Sequence, residues 1–556
     1  MKFKSFVFAL LGAFALVSCD AKWPWEEDIA RSPSDINTDD DGDITGKNGN
    51  FYGGLVEGTK YSGYEFSKSN KEISKPTAGT GSVTIFGIND FHGAIKSDTN
   101  HMGLAKLGSI VKEETSKENT LFFDQGDTWQ GSYESNQDYG AIIQDVFTYA
   151  GMNLRTVGNH DFDWGIEKLQ STSSRKHSGR YIPSLASNVF NYDWDTKTTG
   201  TSQQKNIGKD YVTYVLDNGL KVGVVGVIGN DQITSICTPI VKNISFTDHN
   251  EKIEEISDFL RVTKKCDIVV ASVHAYASQC NEDELSSISP VSGKKYVDLV
   301  LNGHAHSKAD WTTNGVHFVQ WDSNGQTVGK VELKYNFETN QVSSSTTKTY
   351  YADSVSRTYP TNDPTIEEMV STYLQTASQV GEQVLSTKFS GGFDSDAELP
   401  NLMTKAIYEE AVAEGYDVDY AVCNYARSGF YSSTMTYSDL YTCFPFDNEV
   451  IIMDIYGPTC ATSIKYNSSY HASSNLDVIG NYQTYTIACL DYIAFHCSTS
   501  REYDYFPGAT GKGKLVKDGK IYTYREILKD YLLAHPNEEF ESNSYVSTLV
   551  SNFHVS

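Results

Sequence analysis

Metal-binding side chains recur through this 556-residue chain, and each group of them follows a short apolar run. Runs of four to six apolar residues are typical of buried strands, so these polar groups stand where strands end. The side chains concerned are Asp90, His92, Asp127, Asn159, His274, His304 and His306. Carboxylate or amide oxygens combined with imidazole nitrogens suit zinc, manganese or iron. The set is too large for one tetrahedral ion, so the pattern predicts two divalent ions, with Asp127 able to bridge them.

The segments that carry these residues alternate with helical patterns. "LAKLGSIVKEE" and "AIIQDVFTYAG" have apolar positions at helical spacing, and they separate apolar runs such as "VTIFGI" and "LFF". Strand and helix in alternation predict a layered α/β domain, in which ligands collect at the ends of the strands. If the polar groups were only buried structural residues, that would have to hold independently for five of them. We therefore predict a catalytic domain over residues 82–345.

A long helix is predicted to lead into a second domain. Residues 346–385 are expected to be a linker and helix, because apolar positions at helical spacing follow a proline from residue 363 onward. In residues 386–556, "ELPNLMTKAIYEEA" predicts a helix, and "YAVCNYARSGF" and "CFPFDNEVIIMDIYG" predict segments that contain strands. This part is expected to be a second α/β unit.

Residues 1–19 predict export. Lys2 and Lys4 precede the apolar run "FVFALLGAFALV", which has the length of a signal peptide and is too short to span a bilayer comfortably. "LVSCD" at residues 16–20 resembles the lipobox of bacterial lipoproteins. This resemblance implies a lipidated Cys19 that anchors the exported protein to the bacterial cell membrane. The alternative is an ordinary cleaved signal with a chance cysteine.

Residues 20–81 predict a disordered acidic tether, because they are rich in Asp, Ser, Gly, Asn and Lys and show no hydrophobic period. Inside this segment, "NTDDDGDITGKN" at residues 37–48 has oxygen ligands at alternate positions and Gly42 at the turn of a calcium loop. Its twelfth residue is Asn48 rather than a bidentate Glu, and no amphipathic helix flanks it. A solvated linker is therefore favoured over a calcium site.

Composition limits the partners. Asp and Glu number 71 against 45 Lys and Arg, a formal charge of −26, which repels nucleic acids and anionic membranes. Neither is an expected partner, and membrane contact is expected only through the lipid. None of the nine cysteines forms a CxxC pair, so a zinc knuckle is not indicated. Export permits disulfides, and free buried thiols are the alternative. The protein is expected to be a monomer.

The ordered motifs "DFH", "GDTWQG", "GNHDFD", "VH" and "GHAH" resemble those of the calcineurin-like metallophosphoesterases. More narrowly, they resemble the bacterial 5'-nucleotidase and UDP-sugar hydrolase family, well over residues 82–345 and less faithfully to the end. The resemblance implies a four-layer α/β/β/α catalytic domain joined by a long helix to a substrate-binding α/β domain. It also implies two ligand sets: Asp90, His92, Asp127 and His306 for the first metal, and Asp127, Asn159, His274 and His304 for the second.

The same resemblance gives the catalytic residues. His160 would meet the phosphoryl group, and Asp163 would orient its imidazole and support the protonated form. Asp161 stands where the family usually has Glu and is expected to be structural. A hydroxide bridging the metals would attack phosphorus in line, while His160 stabilises developing charge or protonates the leaving oxygen.

In the C-terminal domain, the resemblance implies four substrate-binding residues. Arg427 would grip phosphate, Asn424 would bond the base, Phe446 would stack on the base, and Tyr492 would be the opposing aromatic plate.

This domain also departs from the family pattern. The segment from Asn424 to Arg427 is two residues shorter than the usual "NGGxxR", and no arginine lies near Phe393. "FHCSTSREYDYF" replaces the usual "GGDG", and Arg501 or Asp504 is a candidate substitute. These departures bear on the substrate and not on the catalytic domain.

The sequence therefore predicts a metal-dependent phosphoric ester hydrolase, most favourably an extracellular 5'-nucleotidase that releases nucleoside and phosphate. One alternative is a metallophosphoesterase for cyclic nucleotides, UDP-sugars or another phosphate ester. A second alternative is a binding lipoprotein that no longer turns over, and the complete ligand set argues against it. The altered second domain does not decide between the first two.

Overall fold

The computed structural model describes residues 46–48, 50–58, 60–204, 206–457, 459, 470–474, 478–479, 483–497, 506–545 and 554–555. The predicted signal peptide, Cys19 and most of the predicted calcium segment lie outside these residues. Arg501 and Asp504 also lie outside them.

The N-terminal part is built on two large sheets. Its described strands are β1 (Gly46–Asn48), β2 (Phe51–Glu57), β3 (Ser62–Ser67), β4 (Thr80–Ile88), β5 (Thr120–Asp124), β6 (Leu154–Thr156), β7 (Ser184–Leu185), β8 (Val189–Asp193), β9 (Thr198–Gln203), β10 (Tyr211–Val215), β11 (Lys221–Ile228), β12 (Ile244–Phe246), β13 (Ile268–His274), β14 (Leu299–Asn302), β15 (Ala309–Thr313), β16 (Val316–Gln320), β17 (Thr327–Asn336) and β18 (Gln341–Tyr351). One sheet has the order β1-β2-β3-β10-β11-β13-β14-β16-β15, and the other has the order β18-β17-β4-β5-β6-β7. Strands β12, β8 and β9 form a small third sheet.

Helices cover the outer faces of this pair of sheets. The described helices of this part are α1 (Gly103–Thr115), α2 (Tyr133–Asn136), α3 (Ala141–Ala150), α4 (Ile166–Ser173), α5 (His249–Val262) and α6 (Glu282–Leu285). Helix α7 (Pro364–Gly381) follows β18 and leads to the C-terminal part. Asp363 caps α7 by accepting hydrogen bonds from the backbone N–H groups of Thr365 and Ile366, and a proline occupies the first turn.

Burial shows four layers. Fully buried residues of both sheets, such as Ile85 and Val224, share one core between the sheets. Leu107 of α1 and Val146 of α3 pack with Phe122 on the outer face of the six-stranded sheet, whereas Ile253 of α5 packs on the other sheet. The predicted α/β/β/α architecture is confirmed, because each sheet has one face against its partner and one face against helices.

The prediction of a disordered tether over residues 20–81 is wrong for its described C-terminal half. Strand β3 pairs in parallel with β10 and antiparallel with β2, which extends the nine-stranded sheet. Phe51 and Phe66 are only 1% and 2% exposed. The partner strand β10 lies about 145 residues further along the chain, and composition averaged over a polar segment cannot reveal such a distant partner.

The C-terminal part is a smaller α/β unit. Its described strands are β19 (Val384–Ser386), β20 (Phe389–Ser390), β21 (Tyr420–Asn424), β22 (Met435–Thr436), β23 (Val450–Tyr456), β24 (Tyr470–Ser474), β25 (Val478–Ile479), β26 (Thr484–Leu490), β27 (Thr510–Lys514), β28 (Val516–Lys517), β29 (Lys520–Ile521), β30 (Phe540–Glu541) and β31 (His554–Val555). A five-stranded sheet has the order β24-β21-β26-β23-β27. The helices are α8 (Glu398–Ala413), α9 (Tyr437–Cys443), Asp491–Ala494 and Tyr524–Ala534.

Two features bear on location and redox state. Among the described residues, no helix is both long enough and apolar enough to cross a membrane. Cys237, Cys266, Cys280, Cys423 and Cys443 are free thiols, so within the described part these cysteines follow the alternative of free thiols.

Candidate metal and active site

Both large sheets contribute strand ends to one site. In the six-stranded sheet, the parallel strands β4, β5 and β6 are followed within three residues by Asp90, Asp127 and Asn159, respectively. In the nine-stranded sheet, His274 is the last residue of β13, and His304 follows β14. Because parallel strands end at the same edge of a sheet, the two sheets bring these loops together.

The backbone is strained where the ligands stand. Asp90, His92, Asp127, His304 and His306 have φ of 50°, 47°, 54°, 83° and 53°. A left-handed conformation costs a residue with a Cβ about 1–2 kcal/mol. Such strain persists where the surrounding structure fixes it, and it clusters at functional sites.

The first predicted metal set is assembled. Asp90, His92 and His306 form a group whose potential ligand atoms all lie within 4.8 Å of one another. The Nε2 atoms of His92 and His306 are 2.9 Å apart, and Asp90 Oδ1 is 3.4 Å from His306 Nε2. Two imidazole nitrogens and a carboxylate oxygen that converge in this way form a pocket for a cation.

The second predicted set lies beside the first. Asp127, His274 and His304 form another such group. The Asn159 side-chain oxygen lies 3.1 Å from His274 Nε2 and 3.0 Å from His304 Nδ1. Asp127 Oδ2 is 3.1 Å from His274 Nε2 and 3.8 Å from His92 Nε2 of the first group. Asp127 therefore stands between the two groups, where the sequence predicted a bridging carboxylate.

Hydrogen bonds aim the ligands inward. The Nδ1 atoms of His92 and His274 lie 2.8 and 2.7 Å from backbone carbonyl oxygens, those of Gln130 and Gln125. A carbonyl can only accept, so Nδ1 carries the proton and Nε2 is left to bind a cation. Asp90 Oδ2 accepts from the backbone N–H of His304 at 2.8 Å, which leaves Oδ1 facing the site.

The residues present fit divalent metals. Asp90 Oδ1 and Asp127 Oδ2 are buried, and they face the Nε2 atoms of other predicted ligands, His306 at 3.4 Å and His274 at 3.1 Å. Burial holds the pKa of His92 well below its usual value and lowers that of His304 to about 4, so both rings are neutral ligands. Burial alone would lower the pKa of His274 too, but the Asp127 carboxylate outweighs it and raises that pKa to about 10. The carboxylates therefore favour positive charge at this position.

His160 stands next to the two groups and faces the cavity. Its Nδ1 lies 2.8 Å from Asp163 Oδ2, and its backbone N–H donates to Asp127 Oδ1 at 2.8 Å. Burial would lower the imidazole pKa, but the carboxylates of Asp163 and Asp127 outweigh it and the pKa is raised. The ring is therefore protonated more readily than a free imidazole, as an acid or a charge stabiliser requires.

Asp161 makes contacts that hold the fold, as the sequence predicts. It is fully buried, forms an ion pair with Arg155, and accepts from the backbone N–H of Gly158 at 2.7 Å. The Arg155 guanidinium lies 3.8 Å from the centre of the Trp129 ring. These contacts hold the loop that presents Asn159 and His160.

The C-terminal domain closes the site. A cavity of about 560 Å³ is lined by residues of both domains, and its lining includes the four predicted substrate residues Asn424, Arg427, Phe446 and Tyr492 together with His160. Arg427 Nη2 lies 3.5 Å from His92 Nε2 and 3.4 Å from His306 Nε2, within reach of a phosphate held there. The Tyr492 hydroxyl donates to the Thr234 carbonyl of the N-terminal domain at 3.3 Å.

Several cavity residues were not predicted from the sequence. They are Ser235, Cys237, Ile240, Tyr276, Ala305, Tyr425, Asp447, Asn448, Asp491 and His496. Tyr276 packs its ring edge against His304, with centroids 4.5 Å apart. Its position two residues after His274 is the one local signal that could have indicated it, because alternate residues share a side of an extended chain. The others come from loops whose approach depends on how the two domains meet.

Comparison with known proteins identifies the C-terminal part. Residues 379–492 match the family model described as "5'-nucleotidase, C-terminal domain". This segment is therefore similar to 5'-nucleotidase C-terminal domains. The predicted resemblance to 5'-nucleotidases is confirmed for this part of the chain, which includes the segment from Asn424 to Arg427.

Whole-chain similarities agree with this domain. The chain is 23% identical to protein UshA of Yersinia enterocolitica, over 82% of this chain and 91% of that protein. It is 22% identical to endonuclease YhcR of Bacillus subtilis over 67% of this chain, and it spans about a third (32%) of that relative's length. The structure of a 5'-nucleotidase precursor from Thermus thermophilus superposes with a TM-score of 0.64, 17% identity, and coverage of 82% of this chain and 96% of that one. The two-domain fold is thus that of a solved 5'-nucleotidase.

Proposed function

We propose that this protein is a metal-dependent phosphoesterase, and specifically a 5'-nucleotidase that hydrolyses nucleotides to nucleoside and phosphate. One observation carries the proposal. The predicted metal ligands converge from two sheets beside the His160–Asp163 pair, in a cavity that a 5'-nucleotidase C-terminal domain completes. A nucleotide needs a cation-rich centre for its phosphate and a separate wall for its base, and the predicted ligand groups and the aromatic residues Phe446 and Tyr492 of this cavity support that combination.

Two divalent ions would be held by the two ligand groups, with Asp127 shared and Asn159 added to the second. Bound ions of this kind polarise phosphate oxygens and lower the pKa of water. The geometry supports such a pair, because Asp90 Oδ1 and Asp127 Oδ2 are buried among the ring nitrogens of the predicted ligands, and burial holds the pKa of His92 well below its usual value. Zinc, manganese and iron all suit this donor set.

Residues of the chain would donate the proton and bind the phosphate. The oxygen of water would add to phosphorus and release its proton to solvent, the phosphorus–oxygen ester bond would break, and the leaving oxygen would take a proton. His160 would supply that proton from Nε2, because Asp163 holds Nδ1 and favours the charged ring. Arg427, which reaches the first ligand group, would bind the phosphate oxygens.

The substrate residues of the C-terminal domain remain a proposal. Asn424 would bond the base, and Phe446 and Tyr492 would be its aromatic plates, since all three line the cavity. We further propose that the protein is exported, anchored through a lipid on Cys19, and works as a monomer. The apolar run and the "LVSCD" segment support the anchor.

A hydrolysis panel on the purified protein tests the function. With Zn²⁺, Mn²⁺ or Fe²⁺ added, adenosine 5'-monophosphate should be hydrolysed with release of inorganic phosphate. UDP-glucose, a 2',3'-cyclic nucleotide and a sugar phosphate complete the panel. Preference for one of these would favour the alternative phosphoesterase, and no hydrolysis of any ester with metals bound would favour the silent binding protein.

A further inference from the structure

Phe446 of the C-terminal domain lies directly on the imidazole of His160 in the N-terminal domain. Their ring centroids are 5.3 Å apart and the planes are inclined by 26°, a stacked arrangement. Offset stacking is a favourable geometry for aromatic pairs. The Phe446 ring therefore contacts the imidazole as well as lining the cavity.

The turn that carries Phe446 is fastened from both domains. Arg525 is 4% exposed, and its guanidinium donates to the carbonyl oxygens of Phe444 and Phe446 at 2.9 and 2.7 Å. From the other domain, the side-chain amides of Gln130 and Asn136 donate to the Pro445 carbonyl at 3.2 and 3.1 Å. Hydrogen bonds from both domains therefore hold the Phe446 ring over His160.

Gln130 connects this turn to the ligand loop. Its backbone carbonyl accepts from Nδ1 of His92, while its side chain holds Pro445. The same residue thus orients a predicted metal ligand and docks the turn of Phe446. Gln130 therefore contributes both to the contact between the two domains and to the orientation of His92.

The stack on Phe446 restrains the His160 imidazole in a direction that its hydrogen bond does not. Asp163 makes one hydrogen bond to Nδ1, and a single hydrogen bond leaves the ring able to tilt about the line that joins the two atoms. The His92 ring approaches edge-on, with centroids 5.5 Å apart. A flat ring against one face of His160 removes the tilt and keeps Nε2 aimed at the leaving oxygen, where misplacement is costly to the rate.

We propose that Phe446 is a positioning residue for His160, so that the C-terminal domain contributes to the chemical step as well as to substrate binding. One face of the Phe446 ring restrains the imidazole, and the other face is left for the substrate. This inference rests on the proposed function, because it assigns His160 the role of proton donor or charge stabiliser.

A substrate without a base separates the two roles of Phe446. With ribose 5-phosphate, which has no base but whose leaving alkoxide needs a proton, loss of a base plate has no effect, whereas loss of a restraint on His160 lowers kcat. Phe446→Ala should lower kcat on this ester about threefold to tenfold, the range expected for one aromatic pair. Phe446→Tyr keeps the ring and should restore kcat. Bound metal, measured on each variant, should stay at the level of the unmodified protein.

Two controls accompany these variants. Tyr456→Ala removes an exposed ring of the same domain that does not line the cavity, and it should leave kcat unchanged. Gln130→Ala removes the docking contact to Pro445 and should lower kcat in the same direction. Its effect should not add to that of Phe446→Ala, because both act on one arrangement.

An unchanged kcat of Phe446→Ala on ribose 5-phosphate, with KM raised only for adenosine 5'-monophosphate, would overturn the inference and leave the proposed function standing. If the unmodified protein hydrolysed neither ester, the proposed function would fail. The positioning claim is then decided by a crystal structure of Phe446→Ala, in which we expect the His160 ring to be rotated or disordered. A ring that stayed in place would refute it.

Discussion

Asn159 and His160 are adjacent in the chain, but their side chains make different contacts. The Asn159 side-chain oxygen lies between His274 and His304, among the second group of ligands. His160 instead turns its Nδ1 to Asp163 and its ring to Phe446. These contacts support the proposal that Asn159 holds a metal while His160 acts on the phosphoryl group.

This division predicts opposite results for two substitutions. His160→Ala should keep both metals and lose about a hundred- to ten-thousand-fold in turnover, which is the usual contribution of a positioned acid or base. Asp163→Asn should be impaired in the same direction, because the imidazole loses its carboxylate partner. Metal content and kcat are measured on each variant.

The matched variant is Asn159→Ala. It should bind the second metal more weakly, and excess metal should partly restore its activity, since only a ligand has been removed. Loss of both metals from His160→Ala, or an unchanged rate, would show that the two roles have been assigned wrongly.

At this scale the sequence predicts residue types well and their restraints poorly. The seven proposed ligands could be identified because each follows an apolar run, a local pattern. The left-handed backbone at Asp90 or His306 could not, because the residue types there are not the glycines that usually mark such positions. The stack of Phe446 on His160 joins residues about 290 apart in sequence, and it depends on how the domains dock.

At the scale of elements, the sequence did not predict the strands near one edge of the nine-stranded sheet. Strands β2 and β3 arise from a segment whose composition predicts disorder, but they bury Phe51 and Phe66. The central strands were predictable, because continuous apolar runs are typical of strands covered on both faces. Strands near the edge are partly exposed and carry no such run. They could be predicted only if the strand with which they pair were already known.

Two truncations test the role of this edge. A chain that begins at residue 46 should melt at the temperature of the mature protein, because the strands β1 to β3 remain. A chain that begins at residue 81 loses two buried phenylalanines worth roughly 1.5–3 kcal/mol each, so its Tm should fall by roughly 10 °C. Thermal unfolding followed by circular dichroism gives both values, and equal values for the two chains would show that the hairpin adds no stability.

At the scale of the whole molecule, two domains share one cavity and one end of the chain is predicted to carry a lipid. The acidic chain, with a formal charge of −26, would be repelled by an anionic membrane surface. Within the described residues, no helix offers a membrane-spanning alternative. The proposed acyl chains on Cys19 would supply the attachment.

The anchor is tested by Cys19→Ala. This variant should move from the membrane fraction to the soluble fraction, because a cleaved chain without acyl groups has lost its predicted hold on the bilayer. Fractionation of cells, with the unmodified protein beside it, measures the change. A variant that is cleaved and still sediments with membranes would contradict the lipobox prediction.

The central claim is a pair of metals that the chain holds for phosphate ester hydrolysis. Its most direct test is elemental analysis of the purified protein, made on the same sample whose hydrolysis of adenosine 5'-monophosphate is measured. We predict about two divalent ions per chain at full activity, with activity lost on chelation and regained when metal is returned. Full activity with one ion per chain, or with none, would contradict the account.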